Sequence, residues 1–376
     1  MNLLMLAEAS NVHTQRWSQA LARRGWQVSV LTFRDGSIEG VRVIPIEVPR
    51  FGAGYMHRWW RRYVRYLQSI IVETAADLVH VHFLRDYPLM PAGAADPPIV
   101  VSTWGSDVVA YPTDPPDTAS RRCRKVALLQ GAAAVTATTE HLADATAAFG
   151  GIDRRDITVI PFGVDVDRFA TAKPGLNVPG PVVGVIKHLE GRYGLDSWIR
   201  AMPRVLNRFE KARFVIIGHG PQEAELRRLA AQLDVADRID WRGLVPNCDV
   251  PRALAQMDVF VMPSLVEAFG VSAVEAQAAG VPVVFSDLPG ATEAVTHEVS
   301  GLAVPPGDPA ALADAVCRLL GDDALRRRLG RAGRRMVRQR FDFARNVDRM
   351  EEVYREALDG RPRPARTASQ ALSVAD

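Results

Sequence analysis

Residues 258–284 read DVFVMPSLVEAFGVSAVEAQAAGVPVV and combine a strand, a turn and the start of a helix. The apolar run 259–262 is short and ends at Pro263, as expected of a strand buried on both faces of a parallel sheet. The helix that follows is predicted to run to Ala278, because a glycine and a proline come just after it. The chain therefore leaves the sheet at its carboxyl edge and turns directly into a helix.

Two carboxylates flank this turn. Backbone N–H groups at a helix start attract a phosphate or a sugar oxygen, and Gly270 lets a ligand approach the main chain closely. Glu267 would face that ligand from the loop, and Glu275 could accept hydrogen bonds from a pair of ribose hydroxyls. Two alternatives stay open: Glu275 could form a capping box with Ser272, and Glu267 could be a solvated loop residue.

The segment 263–284 resembles retaining glycosyltransferases of family 4, whose hallmark is Glu-x7-Glu in the carboxyl-terminal half of a GT-B fold. The spacing of Glu267 and Glu275 matches that hallmark, and the resemblance extends over roughly residues 1–355. It implies that Glu267 lies beside the transferred sugar and that Glu275 binds the nucleotide ribose. It also implies backbone contacts to the sugar from Phe269, Gly270 and Val271.

Size and composition bound the possible classes of protein. A chain of 376 residues suits two domains of about 170 residues each. A net charge of +3 gives little reason to expect a nucleic-acid partner. Cys123, Cys248 and Cys317 have no Cys-x-x-Cys spacing, so neither a disulfide framework nor a zinc site is indicated. Without a signal-peptide pattern or a long apolar segment, we expect a cytoplasmic protein that is soluble or peripheral at the inner face of the membrane.

Apolar runs of strand length alternate with amphipathic stretches in both halves of the chain. This alternation predicts an α/β fold with two doubly wound, Rossmann-like parallel sheets and a ligand site beyond the carboxyl ends of the strands, in the cleft between them. Strands are predicted at 3–7, 28–33, 41–46, 78–82, 99–102, 132–136 and 157–160, and then at 182–186, 214–217, 239–241, 259–262 and 281–285.

The domain boundaries follow from a Pro/Gly-rich interruption of that pattern. We predict an acceptor-side domain over 1–170, a linker over 171–180, a nucleotide-sugar domain over 181–340 and a disordered tail over 360–376. The GT-B name comes from the resemblance, which also implies that a helix over 341–359 crosses back to the first domain.

Cations follow the strand predicted at 182–186. A leaving diphosphate accumulates negative charge, which fixed cations stabilise. The resemblance implies an arginine and a lysine five positions apart here, directed at the diphosphate; this chain has Lys187 first and Arg192 second, with one extra residue before Gly194. That exchange keeps the charge and changes the geometry. We predict Glu267, Lys187 and Arg192 as the catalytic residues, although each cation taken alone is more typical of a solvated surface.

Two further glycine turns are predicted to frame the nucleotide. A lone Gly-x-Gly is weak evidence and is also compatible with a simple tight turn, so the nucleotide contacts come from the resemblance. They are Gly218, Gly220, Arg242, Gly243 and Leu244, and none of them separates uridine from guanosine.

Asp165 and Asp167 imitate the Asp-x-Asp signature of metal-dependent transferases. They lie, however, in a segment that the family uses as a connection between domains. Because cations are already available for the diphosphate, we expect no metal and no other cofactor.

The first predicted strand leads to a loop on the acceptor side. Many relatives have paired glycines where this chain has Ser10 and Asn11. His13 and Arg16 could contact an acceptor, although His13 is as compatible with a structural role at the helix start.

Other strand edges add three candidates on the acceptor side. Relatives commonly carry a histidine where Trp104 stands, contacting the transferred sugar. His82 and Asp107 have short polar ends that could reach a sugar hydroxyl, or could be buried and structural.

A basic, aromatic helix is predicted around 57–67. Arginines at positions 58, 61, 62 and 65 lie off a face formed by Trp59, Tyr63, Leu67 and Ile70. Such a helix can lie on an anionic membrane, which would imply a lipid-linked acceptor, or simply pack on the sheet.

Together, the resemblance implies retaining transfer of a hexosyl group from a UDP- or GDP-sugar to a hydroxyl acceptor: a glycan, a lipid-linked sugar or a small molecule, in polysaccharide or glycolipid biosynthesis. A non-catalytic nucleotide-sugar-binding subunit and another GT-B enzyme, such as a phosphorylase or epimerase, remain alternatives. A dinucleotide-dependent oxidoreductase would need Gly-x-Gly-x-x-Gly after the first strand, and residues 6–11 lack it.

Overall fold

The computed structural model describes residues 1–33, 36–46, 56–84, 97–109, 117–170 and 180–360. Most of the predicted linker, 171–179, and almost all of the predicted tail, 361–376, lie outside these residues. None of the described helices is long and apolar enough to cross a membrane.

The amino-terminal lobe is built on a parallel sheet of seven strands in the order β3-β2-β1-β4-β5-β6-β7. Its central strands consist almost entirely of buried residues, because helices cover both faces. The strands are β1 (Asn2–Leu6), β2 (Gln27–Thr32), β3 (Arg42–Pro45), β4 (Leu78–His82), β5 (Ile99–Thr103), β6 (Ala134–Ala137) and β7 (Ile157–Val159). The helices are α1 (Val12–Arg23), α2 (Met56–Glu73), α3 (Ala119–Gly131) and α4 (Glu140–Gly150).

The carboxyl-terminal lobe follows a short connecting helix, α5 (Val166–Ala170), and has a parallel sheet in the order β10-β9-β8-β11-β12-β13. Its strands are β8 (Val182–Ile186), β9 (Arg213–Ile217), β10 (Ile239–Gly243), β11 (Val259–Met262), β12 (Val283–Ser286) and β13 (Gly301–Val304). Its helices are α6 (Leu195–Arg208), α7 (Glu223–Gln232), α8 (Val250–Leu254), α9 (Val271–Ala278), α10 (Pro289–Ala294), α11 (Pro309–Gly321) and α12 (Asp323–Arg340). The strand order reverses between β8 and β11, which places the ligand crevice at their carboxyl ends.

The predicted α/β class is confirmed, and every predicted strand is present with its ends shifted by at most two residues. The sequence missed β13, which starts with a glycine and is only four residues long. Gly301 lies so close to β12 that a Cβ would be 2.4 Å from the carbonyl oxygen of Val283. The close pairing of β13 with β12 therefore requires a glycine at position 301. That same glycine weakens the strand signal in the sequence.

The chain passes between the lobes twice, and the two passages are hydrogen-bonded to each other. The N–H of Val164 donates to the carbonyl of Phe341 at 2.8 Å, and the N–H of Phe343 donates back to Val164 at 3.0 Å. The second passage leads into α13 (Phe343–Leu358), whose buried side chains join the core of the amino-terminal lobe. These side chains include Val347, Met350, Val353 and Tyr354.

The basic helix predicted around 57–67 is part of α2. In its described part Leu67 and Ile70 are buried in the core of the lobe and Arg65 is exposed. The side chains at 56–63, which include the other three arginines, lie outside the described residues.

Candidate active site in the interlobe cleft

A cavity of about 480 Å³ lies between the carboxyl edges of the two sheets and is lined by both lobes. The predicted residues that line it are His13, Arg16, Trp104, Lys187, Arg192, Gly218, Leu244, Glu267, Phe269, Gly270, Val271 and Glu275. The predicted residues outside the lining are Ser10, Asn11, His82, Asp107, Gly220, Arg242 and Gly243. The lining also includes Ser272, considered above only as a helix cap, and Phe83, Phe162 and Tyr193, which carry no motif of their own in the sequence.

Lys187 and Glu267 form an ion pair in the wall of the cavity. The Lys187 Nζ lies 2.5 Å from the Glu267 Oε2, and the side chains are 13% and 10% exposed. Ser264 Oγ donates to the same carboxylate oxygen at 3.1 Å, and the ammonium lies 4.5 Å from the centre of the Tyr193 ring. The strand ends of β8 and β11 thus bring together residues that are 80 positions apart in the sequence.

Arg192 lies in the loop after β8, beside this pair. Its guanidinium contacts the Glu190 carboxylate, with an Nε–Oε2 distance of 2.8 Å. Its carbonyl accepts a hydrogen bond from the N–H of Leu265 at 2.9 Å, and a Cβ on Gly194 would be 2.1 Å from the carbonyl oxygen of Pro263. The loop that carries the two cations is therefore fixed against the loop that carries Glu267.

The helix α9 begins at the cavity. Gly270 precedes it with a φ of +90°, a left-handed conformation that favours glycine, and no side chain caps its first amides. Ser272 lies inside the first turn, and its buried Oγ has no hydrogen-bond partner among the described residues. The capping box considered for Ser272 and Glu275 is therefore wrong, because the helix starts too early for Ser272 to be its cap.

Glu275 lies one turn further along α9 and interacts electrostatically with arginines on two other elements. Burial raises the pKa of Glu275 to about 7, against the opposing effect of Arg16 on α1 and Arg168 on α5. Arg16 itself reaches the ring of Phe343 at 4.5 Å. Both lobes and the connection between them thus contribute to the electrostatics of this carboxyl group.

The amino-terminal wall of the cavity is aromatic. His13 stacks on Phe162 with ring centres 4.1 Å apart, and Trp104 makes an edge-to-face contact with the same ring, with ring centres 5.1 Å apart. Burial, and then the charge of Arg16, lower the pKa of His13 to about 3, so the imidazole is neutral near pH 7. Asn11 caps α1, because its Oδ1 accepts the N–H of His13 at 2.8 Å.

Two predicted acceptor-side residues lie behind this wall. The buried Asp107 carboxylate accepts hydrogen bonds from the N–H groups of Trp104, at 3.0 Å, and Gly105, at 2.7 Å. His82 is buried, with its Nε2 3.1 Å from the Nδ1 of His80 and its ring 5.1 Å from Trp104. Both side chains hold the loop and ring of Trp104 in place, which is the structural alternative left open for them.

The residues of the two predicted glycine turns make different contacts. A Cβ on Gly218, whose φ is +144°, would be 1.8 Å from the carbonyl oxygen of Lys187, and its N–H donates to Gly243 at 2.8 Å. Gly220 packs on the backbone of the same β8 loop. The side chain of Arg242 pairs with Asp240 at 2.7 Å.

The Asp-x-Asp sequence lies in the connection between the lobes. Asp165 accepts the N–H of Arg168 at 3.1 Å, and Asp167 lies 3.6 Å from Arg338. Over the described part of the chain, no group of three or more His, Cys, Asp or Glu side chains could hold a metal ion.

Two family models match the chain in succession: Glycosyltransferase Family 4 over residues 10–168 and Glycosyl transferases group 1 over residues 167–336. The 2-deoxystreptamine glucosyltransferase of Streptomyces kanamyceticus is 29% identical, and the match covers 88% of this chain and 94% of the relative. The D-inositol 3-phosphate glycosyltransferase of Xylanimonas cellulosilytica is also 29% identical, over 95% and 93% of the two chains.

Solved structures resemble the whole molecule at lower identity. Sucrose-phosphate synthase from Thermosynechococcus elongatus superposes with a TM-score of 0.80 at 22% identity, covering 96% of this chain and 99% of that one. Anabaena HepE, solved in complex with UDP and glucose, gives 0.74 at 19% identity, covering 94% and 98%. At these identities the likeness concerns the fold.

Proposed function

The chain belongs to glycosyltransferase family 4 and has the GT-B fold, and from this premise we propose that it moves a hexosyl group from a nucleotide-diphosphate sugar to a hydroxyl acceptor with retention of anomeric configuration. The observation that carries the proposal is the pairing of Lys187 with Glu267 in the interlobe cavity, beside the uncapped start of α9. The cation and the free helix amides suit a pyrophosphate, and the carboxylate suits the hydroxyls of a sugar joined to it.

In the proposed mechanism the diphosphate binds Lys187 and Arg192. Glu267 then loses part of its interaction with Lys187, and its Oε2 becomes available to a hydroxyl of the donor sugar. As the bond between the anomeric carbon and the phosphate oxygen breaks, the two cations stabilise the charge that develops on the leaving group. The acceptor oxygen bonds to the anomeric carbon on the same face, and its proton passes to the departing phosphate.

The position of the nucleotide is proposed from the likeness to HepE and from the charges in the cavity. The HepE complex contains UDP, which supports a uridine nucleotide as the first donor to test, with GDP-sugars beside it. Glu275 is proposed to bind the ribose hydroxyls, and the loops at Gly218 and Leu244 to enclose the rest of the nucleotide. Because Lys187 and Arg192 supply positive charge at the diphosphate, we propose that turnover needs no divalent ion.

The acceptor is proposed to be a ring alcohol. The relatives named above are named for 2-deoxystreptamine and for D-inositol 3-phosphate, both polyhydroxylated cyclohexanes. The aromatic wall formed by Trp104 and Phe162 suits stacking on the C–H face of such a ring, and the neutral imidazole of His13 suits hydrogen bonding to its hydroxyls.

The test starts with thermal-shift screening of UDP- and GDP-hexoses in the presence of EDTA, followed by transfer assays with cyclitol acceptors and NMR of the product's anomeric proton. Glu267→Ala is expected to lower kcat roughly 100-fold or more, because the carboxylate acts on the reacting sugar. Lys187→Ala should lower kcat and weaken nucleotide binding together.

Arg204→Ala is the matched control, since it removes a cation that pairs with Asp314 at 2.7 Å on the outer surface of the same lobe. It should leave transfer unchanged. Normal turnover by the Glu267→Ala variant, an inverted product, or loss of activity in EDTA would each contradict the proposal.

A further inference from the structure

A carboxylate of the carboxyl-terminal lobe binds the start of a helix in the other lobe. The two oxygens of Glu293, on α10, accept the N–H groups of Glu140 at 2.7 Å and His141 at 2.8 Å. These are the first two residues of α4, whose amides have no partner inside the helix. A carboxylate at a helix start gains from the helix dipole and from two charge-assisted hydrogen bonds.

The residue before α4 makes a second contact between the lobes. Thr139 accepts the N–H of Leu142 at 3.1 Å as the helix cap, and its Oγ1 donates to the carbonyl of Ala268 at 3.2 Å. Ala268 immediately follows Glu267. One end of α4 is therefore bonded both to α10 and to the loop that carries Glu267.

The same loop rests on α10 from within its own lobe. A Cβ on Gly290 would be 2.4 Å from the carbonyl oxygen of Glu267 and 2.5 Å from that of Ala268, so the loop lies directly on the first turn of α10. That short helix thus supports the loop at Gly290 and binds the other lobe at Glu293, three residues later. A separation of the lobes would break the contacts at Glu293 and Thr139 together and leave the loop supported from one side only.

We infer that Glu293 and Thr139 form an interlobe latch, defined by the contacts of these two residues, that positions the Glu267 loop for transfer only when the lobes are closed. Neither residue lines the cavity, so both are positioning residues and touch no substrate. The latch couples closure to chemistry because the loop is held from both sides only in the closed conformation. The catalytic part of this inference rests on the proposed function; the conformational part does not.

The experiment compares Glu293→Ala, Glu293→Gln and Thr139→Val with the unmodified chain. Interlobe distances are measured by pulsed EPR between spin labels on Cys123, exposed on α3, and on Glu210→Cys, exposed in the other lobe, with Cys248→Ser in every protein. In saturating nucleotide, Glu293→Ala and Thr139→Val are expected to show a larger open population. Glu293→Gln, which keeps one acceptor oxygen, should lie between.

Kinetics separate positioning from general damage. Loss of two charge-assisted hydrogen bonds should lower kcat about tenfold or more. The nucleotide Kd, measured at pH 8 where Glu275 is ionised, should change less than about twofold, because its proposed contacts lie on one lobe. Thr139→Ser keeps both hydrogen bonds and should restore activity, and Asp314→Ala removes a carboxylate that pairs within one lobe and should change nothing.

Circular dichroism and melting curves identify any variant that fails to fold, and Glu293→Gln, the mildest change, then decides the question. Unchanged distance distributions and an unchanged kcat in Glu293→Ala would overturn the inference. If the unmodified chain transfers no sugar from any donor, the proposed function fails, while the distances still decide whether the latch exists.

Discussion

Glu275 is the carboxyl group on which charged residues from both lobes act. Its raised pKa reflects burial that two arginines only partly offset. Because the folded-state value, about 7, lies above the ordinary value of 4.5, the folded protein holds this proton more tightly than the unfolded chain. The resulting contribution to stability is fully present below pH 4.5 and is lost as the pH rises through 7.

A ribose that binds the ionised Glu275 must compete with that proton. Affinity for a nucleotide sugar should therefore rise as the pH increases towards 7 and level off above it, by at most about tenfold per pH unit. Nucleotide sugars suit this titration because their diphosphate, esterified at both ends, lacks the phosphate group that titrates near pH 6. Calorimetry at pH 6 and pH 8, in buffers of different ionisation enthalpy, measures both the affinity and the protons released.

Substitutions separate the sources of this pH dependence. Glu275→Gln should abolish it, and Arg16→Met should move it to higher pH, since Arg16 opposes the shift. An affinity that is flat between pH 6 and pH 8 in the unmodified chain would rule out a role for the Glu275 carboxylate in binding.

Among the elements, the turns after β8 and β9 determine where the cations lie. Gly218 packs directly against the backbone carbonyl of Lys187, so the turn after β9 supports the turn after β8. Gly218→Ala should destabilise the protein by about 3 kcal/mol or more, because an added Cβ would clash with the backbone of Lys187 at a strained φ. It should also weaken nucleotide binding by displacing Lys187.

Gly243→Ala provides the comparison for this prediction. Gly243 also has a positive φ, 61°, but a Cβ there would meet nothing within 4 Å. Its cost should be limited to about 1 kcal/mol of backbone strain. Chemical denaturation and nucleotide titration of both variants should separate them clearly; equal effects would mean that the contact with Lys187 is unimportant.

The sequence predicted elements better than side-chain neighbours. Short apolar runs predicted every strand of the two sheets except β13, since burial on two faces leaves a local signal. The pairing of Lys187 with Glu267 could not be found in this way, because it depends on the adjacency of β8 and β11 in the sheet. Phe162 and Tyr193 were missed for a different reason, because a single aromatic residue in a loop forms no sequence pattern. Asp107 follows a strand end, as predicted, but it lies behind the cavity wall and its partners are backbone amides, which no motif reveals.

In the whole molecule, α13 connects the carboxyl-terminal lobe to the core of the amino-terminal lobe. Tyr354 on α13 lies with its hydroxyl 2.5 Å from the Nδ1 of His80 on β4, both fully buried. Burial, and secondarily Glu351, raise the pKa of Tyr354 well above its usual range, and burial likewise lowers the pKa of His80, so both groups are neutral. This hydrogen bond anchors the second passage to the sheet.

Tyr354→Phe should therefore destabilise the protein by about 1–3 kcal/mol, because it leaves a buried ring nitrogen of His80 without this partner. The nucleotide Kd should stay unchanged, since the proposed nucleotide contacts lie in the other lobe. Urea denaturation followed by fluorescence, together with nucleotide titration, checks both expectations. A variant as stable as the parent would show that α13 is held by its apolar contacts alone.

The placement of α13 also has a consequence for the order in which the protein can be made. Val347, Met350 and Tyr354 fill the interior of the amino-terminal lobe, yet they are translated only after the whole carboxyl-terminal lobe. During synthesis on the ribosome one face of that lobe's interior therefore stays uncovered until α13 has emerged. The lobe that is translated first is therefore completed only after the second lobe has been made, and a chain truncated before residue 343 would have a first lobe that cannot close its own core.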